Sequence, residues 1–296
     1  MRQLQELGHD VVDGRSAHAG HMELLGQELG PGVNRMLVLG GDGSLRETVK
    51  GVLRLHEDAR PAVGALPFGN GNVMAREAAL PMGALDAMAA LLKGGVTTID
   101  VGYATASDGE EELFLGMAGA GYDAAVATGI ANCRRTRLGG ALYRFNADMI
   151  YGALGLREMV RLAPPRFSVD VDGERLTERA AAAVVSSVRT YGKGMTMTPS
   201  AAWDDGRLGV HVRHSAAPWK TIRALWAAQR GKEAPGWAAT YAAGCTVTIR
   251  APATSSFPWQ LDGDAMGRTT SLSIRIEPRS LRFLRAPEAA ADKARP

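Results

Sequence analysis

An aspartate set inside a run of glycines, Gly40-Gly41-Asp42-Gly43-Ser44, is where residue types and spacing first suggest chemistry. The surrounding residues 36–53, MLVLGGDGSLRETVKGVL, pass from an apolar strand pattern through the glycines straight into a helical pattern, with Ser44 and Glu47 spaced as a capping box. A strand, a glycine turn and a helix start leave backbone N–H groups unpaired and add the positive end of the helix dipole, a setting that suits phosphate. The ending of a P-loop is absent, and so is the three-glycine Rossmann spacing. Taken alone, Asp42 serves equally well to stabilise a tight turn by bonding its own backbone.

Residues 62–76, AVGALPFGNGNVMAR, repeat the design of apolar strand, glycine-rich turn and helix start, with Asn72 placed as an N-cap. Two such loops in successive βα units share one carboxyl edge of a parallel sheet, where α/β folds bind their ligands. The pair therefore favours nucleotide binding.

The elements that must position these loops are legible in outline. In the first hundred residues, strand patterns at 36–39 and 62–66 alternate with helix patterns at 45–56 and 73–79, which predicts a parallel α/β sheet. From about Val96 the pattern changes to short strand-like runs separated by Asp-Gly pairs at 108–109, 172–173, 205–206 and 262–263, each an expected hairpin turn. Helices are expected at 141–160 and 219–230, and a last strand at 281–284. The predicted organisation is an α/β nucleotide-binding domain over 1–96, a second, mostly antiparallel domain over 97–285 and a frayed tail over 286–296.

Composition narrows the function classes. With 296 residues and 46% hydrophobic content the chain fills one large or two ordinary cores. A net charge of +3 without a long basic run gives no reason to expect nucleic acid. Cys133 and Cys245 stand far apart without histidines at zinc spacing, so neither a disulfide framework nor a zinc site is expected and a reducing cytoplasm fits. The N-terminus lacks the order of a secretory signal, and no apolar run approaches the roughly 18 residues that span a bilayer. A protein of this kind acting on a lipid would visit the membrane surface.

Five motifs in order resemble the diacylglycerol kinase catalytic-domain superfamily, which includes bacterial lipid kinases and sphingosine kinases. They are Gly40 to Ser44, the Pro67-Phe68-Gly69-Asn70-Gly71-Asn72 loop, Gly119-Ala120-Gly121-Tyr122-Asp123-Ala124 with the following LGGALY at 138–143, TPSAAWDDGRLGV at 198–210, and Leu261-Asp262-Gly263-Asp264. The resemblance covers about residues 10–285. It implies an ATP-binding α/β domain of the NAD kinase/diacylglycerol kinase type followed by a β-sandwich domain, with the site in the cleft between them.

It further implies an ATP-dependent lipid kinase using Mg²⁺. Backbone of Gly40, Gly41, Gly43 and Ser44, of Gly69, Asn70, Gly71 and Asn72, and Ser16 would cradle the nucleotide. Asp262 is expected as general base with Asp264 as runner-up, Asp42 orients Mg²⁺ or the acceptor hydroxyl, and Asp123 holds the lipid headgroup or a metal; as a residue, Asp123 reads equally as a helix N-cap. A structural Mg²⁺ is implied at Asp205 with backbone oxygens around Ala202 and Arg207, although Asp-Gly between strands needs no metal. Arg134, Arg135 and Arg137 read as anion-facing or as a solvated loop.

Departures from the family pattern are Asn70 for a hydroxyl residue, Val73 for Asp and Asp264 for Glu. The family's opening strand and Asn-Pro-x-(Ser/Ala)-Gly loop are also missing, which suggests a start placed too late rather than a lost strand. Two other readings stay open: an NAD kinase-like enzyme, and a non-catalytic lipid-binding member of the family.

Overall fold

The computed structural model describes residues 5, 8–107, 109–160, 166–215 and 217–287. The first half runs α1 (His21–Leu29), β1 (Arg35–Gly40), α2 (Asp42–Leu53), β2 (Ala62–Pro67), α3 (Val73–Glu77), α4 (Ala84–Lys93), β3 (Val96–Ala106) and β4 (Glu111–Phe114). Next come β5 (Met117–Gly121), three helices α5 (Tyr122–Arg135), α6 (Arg137–Phe145) and α7 (Ala147–Val160), then β6 (Phe167–Val171), β7 (Glu174–Ala180), β8 (Ala182–Ser186), β9 (Thr190–Tyr191) and β10 (Met195–Thr196). The chain closes with β11 (Leu208–Arg213), α8 (Pro218–Ala228), β12 (Thr240–Gly244), β13 (Thr246–Arg250), β14 (Phe257–Leu261), β15 (Asp264–Thr269) and β16 (Ser271–Leu284).

The apolar runs of β1 and β2 pair in parallel, from Arg35 opposite Ala62 to Gly40 opposite Pro67. The long β16 joins this parallel pair to the rest of a mixed sheet: Phe283 pairs with Val63 of β2, while the same strand runs antiparallel to β3 along its length and to β13. The second sheet, in the order β12-β11-β8-β5-β14-β15, is antiparallel throughout. Alternating apolar residues of both sheets, among them Phe114, Phe167, Val185, Val210, Ile249, Phe257 and Leu272, fill the sandwich between them. A second core, with Val49, Val52, Val63, Leu66, Met74, Leu91 and Phe283, fixes α2, α3 and α4 to the parallel pair. The expected α/β half followed by a β-sandwich is thus the observed architecture.

β16 changes partner register between Glu277 and Leu281, with Arg279 at φ 51°. Buried Asp100 pins this irregularity, accepting the Arg279 N–H at 2.8 Å and the Gly206 N–H at 2.7 Å. Burial raises its pKa, while the two N–H bonds oppose that rise. An Asp100→Ala substitution strands both donors, so we expect a loss of about 2–4 kcal/mol, read from the urea midpoint.

Asp100 also explains why one expected hairpin is absent. Asp205-Gly206 leads into β11, which pairs with β8 and β12, and its turn docks onto Asp100 instead of joining adjacent strands. The pairs at 172–173 and 262–263 do turn hairpins, with φ of 49° and 84° and of 49° and 89°, as two-residue hairpin turns require. Asp108 of the fourth pair lies outside the described residues, as do residues 288–296 of the expected tail.

Two helix expectations change, and one helix was not expected. The 141–160 segment is two helices broken at Asn146, whose φ of −152° leaves the helical region. Helix α5 escapes sequence reading because its small, polar YDAAVATGIANCRR shows little apolar periodicity. The capping box does not form: α2 starts at Asp42 after Gly41, so Ser44 lies inside the first turn and Glu47 instead accepts the Gly20 N–H at 3.1 Å.

Candidate active site

Because β1 and β2 are parallel and in register, the two glycine loops leave the sheet side by side. The Phe68 N–H reaches the Gly40 carbonyl at 3.1 Å. The loops then touch: a Cβ on Gly69 would stand 2.5 Å from the Gly41 Cα, so only glycine permits this approach. Asn72 occupies the N-cap position of α3 in the left-handed region at φ 49° but makes no cap bond. Its side chain closes the second loop instead, accepting the Gly69 N–H at 2.8 Å and donating to the Gly69 carbonyl at 2.7 Å. In the first loop the initial helical bond is Leu45 N–H to Gly41 carbonyl, which leaves the Gly43 and Ser44 N–H groups outside the helix ladder at its positive end.

Carboxylates stand against these loops. Asp42 accepts the Met74 N–H at 3.3 Å from the start of α3, and its other oxygen lies 2.9 Å from where a Gly71 Cβ would be. Asp262, in the tight β14–β15 turn at φ 49°, accepts three N–H groups, from Leu115 at 2.9 Å, Gly116 at 2.8 Å and Met117 at 3.0 Å. Asp264 lies directly over Gly43, with an oxygen 2.9 Å from that residue's notional Cβ, and pairs with Arg46 at 2.9 Å. Arg46 also donates to the Leu261 carbonyl at 2.8 Å. One guanidinium on α2 therefore ties the first glycine loop and its helix to the β14–β15 turn of the sandwich.

Asp123 is in the first turn of α5, two residues past the Gly121 cap, and so does not cap the helix. Its carboxylate accepts the Tyr191 hydroxyl and, at 2.7 Å, the Gln260 amide, whose oxygen accepts the Gly263 N–H at 2.7 Å. Gln260 thereby connects Asp123 with the turn that carries Asp262. Buried Arg213 adds a positive charge near Asp123 while stacking over the Tyr122 ring and donating to Thr221.

Burial governs the electrostatics. Desolvation pushes the Asp42 carboxyl up to about 6, opposed by backbone N–H bonds and reinforced by the charge on Asp262. Asp123 is also pushed up to about 6 by burial, with the Gln260 bond and Arg213 opposing. Asp262 rises for the same reason, held back by Arg46 and its three N–H donors. This half-buried pair of carboxylates, in which the Asp262 charge raises Asp42, stands beside a helix N-terminus and fits a hard divalent cation that takes one or two protein oxygens and the rest from phosphate and water. Among the described residues no three His, Cys, Asp or Glu side chains come together to hold a metal unaided.

The Asp205 turn fits a metal less well. Asp205 accepts the Arg207 N–H at 2.9 Å, Gly206 is held by Asp100, and the Arg207 guanidinium donates to the Ala243 carbonyl at 3.0 Å. Protein hydrogen bonds through Asp205, Gly206 and Arg207 hold the turn that follows Ala202 without a metal.

The fold thus brings together Asp42, Asp262 and Asp264 with Gly40, Gly41, Gly43, Ser44, Gly69, Gly71 and Asn72, and sets Asp123 one residue contact away. Asn70 faces outward and donates to the Tyr143 hydroxyl of α6 at 2.7 Å, with Arg134 over the same ring. Ser16 lies in an exposed segment before α1 and bonds only locally, to the His18 carbonyl at 3.0 Å. Sequence reading missed Arg46, Gln260 and Tyr191. Arg46 and Gln260 lie four residues past Asp42 and two before Asp262, a proximity that could have drawn attention to them.

Comparison with known proteins agrees with this fold. Residues 2–104 match the family described as Diacylglycerol kinase catalytic domain, and residues 116–285 match YegS C-terminal NAD kinase beta sandwich-like domain. The chain is 31% identical over 224 residues to "Diacylglycerol kinase" of Mycobacterium tuberculosis (strain CDC 1551 / Oshkosh), covering 74% of this chain and 68% of that protein. It is 27% identical over 183 residues to "Probable lipid kinase YegS" of Salmonella schwarzengrund (strain CVM19633), covering 61% of this chain and 56% of that one. A crystal structure of a diacylglycerol kinase from Bacillus anthracis str. Sterne shares the fold with a TM-score of 0.65 at 17% identity, over 92% of this chain and 84% of that one.

Proposed function

The chain belongs to the diacylglycerol kinase catalytic-domain family and is a kinase, and from that premise we propose that it moves the γ-phosphoryl group of ATP to the hydroxyl of a membrane lipid such as a diacylglycerol or a sphingoid base. The observation that carries this reading is the meeting of two glycine loops, at Gly41 and Gly69, beside the carboxylate of Asp42. Residues 1–96 act as the nucleotide half and 97–285 as the lipid half.

Backbone N–H groups of Gly43 and Ser44, with those of residues 70–72, bind the phosphates at the positive end of α2. Asp42 takes the proton of the attacking hydroxyl: one of its oxygens is engaged by α3, and its pKa near 6 leaves it ionised yet basic at neutral pH. The three N–H bonds on Asp262 occupy both its oxygens, which favours a positioning and charge-balancing role over that of proton acceptor. Mg²⁺, when bound, would offset charge on the phosphates, and Asp262 is the residue that would hold it, with phosphate and water oxygens completing its shell. Asp123, steadied by Tyr191 and Gln260, receives the acceptor's polar headgroup.

The test is transfer of label from γ-labelled ATP to a panel of diacylglycerols, sphingoid bases and NAD. A labelled lipid that disappears with Asp42→Asn supports the reading; label in NAD alone, or in no acceptor with folded protein, overturns it. Gln260→Ala, which frees Asp123 from the Asp262 turn, is expected to raise the KM for lipid about tenfold while changing that for ATP little.

A further inference from the structure

Helix α8 is amphipathic the wrong way round for a core helix. Thr221, Ala224, Ala227 and Ala228 face inward, whereas Trp219, Ile222 and Trp226 are 60%, 59% and 46% exposed on the outer face. Trp237, 49% exposed, stacks beside Trp219 with ring centroids 5.1 Å apart. A soluble surface rarely leaves three tryptophans bare. Cations interleave with them: Lys220 lies over Trp219, and Arg223 and Arg230 lie over Trp226 at 4.5 and 3.5 Å.

Helix α8 has no acidic residue, and Lys232 adds a fourth cation against the single acid Glu233. Among the described residues none of these four cations is paired with a carboxylate. Helix α7 packs against α8, and the neighbouring α6 and α7 expose Leu138, Phe145, Met149 and Leu156. Through the Asn70–Tyr143 bond, α6 also reaches the second glycine loop.

We propose that the outer face of α8, with Trp219, Trp226 and Trp237 and the cations Lys220, Arg223 and Arg230, seats the enzyme on an anionic bilayer surface. Amphipathic tryptophan rings partition to the headgroup level, and unpaired Lys and Arg meet anionic lipid there. The same mixture suits a second copy of the chain poorly, because copies would oppose like charges. This inference rests on the lipid acceptor proposed above and names the surface through which that acceptor is reached.

Vesicle sedimentation without ATP tests it, using equal parts phosphatidylcholine and phosphatidylglycerol, with phosphatidylcholine alone as reference. The wild type should bind the anionic vesicles, with blue-shifted tryptophan emission because three of the chain's five tryptophans lie on this face. Arg223→Ala with Arg230→Ala should weaken that binding on the order of tenfold. Trp219→Ser with Trp237→Ser should weaken it on both vesicle types, and Leu85→Ser, which changes an 80% exposed leucine on α4, should leave it unaltered. Both double variants should keep the wild-type urea midpoint, which shows that they are folded. Vesicle binding unchanged in the α8 variants overturns the proposal, as does a dimer that they convert to monomer. Because binding is read without ATP, failure of the kinase reading leaves this result standing.

Discussion

Replacing Asp42 by asparagine is expected to slow phosphoryl transfer by about 10²–10⁴-fold and, at neutral pH, to make the protein harder to unfold. Both effects have one cause. The carboxyl is desolvated between α2 and α3 and faces Asp262, which lifts its pKa from 3.8 to about 6. Between those two values the folded chain holds a proton that the unfolded chain has released, so stability falls as pH rises through that window. Asparagine keeps an oxygen for the Met74 N–H and never ionises. Relative to wild type it should gain on the order of 1–3 kcal/mol above pH 6, and the gain should fade below about pH 4. Urea unfolding at several pH values, beside the transfer rate, checks both halves. A variant that is inactive and also less stable at neutral pH would show that Asp42 is a structural residue.

Gly69→Ala should cut kcat/KM for ATP about a hundredfold, because the new Cβ would fall 2.5 Å from the Gly41 Cα and 3.0 Å from the Asn72 carboxamide oxygen. Neither neighbour is a flexible side-chain end: one is backbone, and the other is fixed by its bonds to Gly69. The loops must therefore separate, and the N–H groups that face the phosphates separate with them. Lipid KM measured at saturating ATP should change little. Gly32→Ala is the matched control, since nothing stands within 4 Å of its notional Cβ. Equal losses in the two variants would mean that the contact between the loops carries no function.

Local signals made the glycine loops readable from sequence, since each is a strand, a turn and a helix start within about fifteen consecutive residues. The parallel pair β1–β2 and the hairpins at 172–173 and 262–263 were readable for the same reason. What sequence could not give is long-range. Nothing in the order of residues says that Asp100 receives N–H groups from Gly206 and Arg279, so the pair at 205–206 looked like one more hairpin. Nor does it say that Asp262 spends both oxygens on residues 115–117, the contact on which the proposal of Asp42 in place of Asp262 as base rests. Arg46 and Gln260 belong to the same class, because their partners lie more than a hundred residues away. The outward tryptophans of α8 were visible as letters, but only the burial of Ala224 and Ala227 behind them shows which way they face.

The most direct test of the central claim is the pH dependence of the rate of label transfer from ATP to lipid, measured for wild type and Asp42→Asn between about pH 5 and 8. If Asp42 takes the hydroxyl proton, the wild-type rate rises tenfold per pH unit below about 6 and levels off above it, while the residual rate of the variant loses that limb. The same acid limb persisting in the variant would contradict the account and move the proton acceptor to another group.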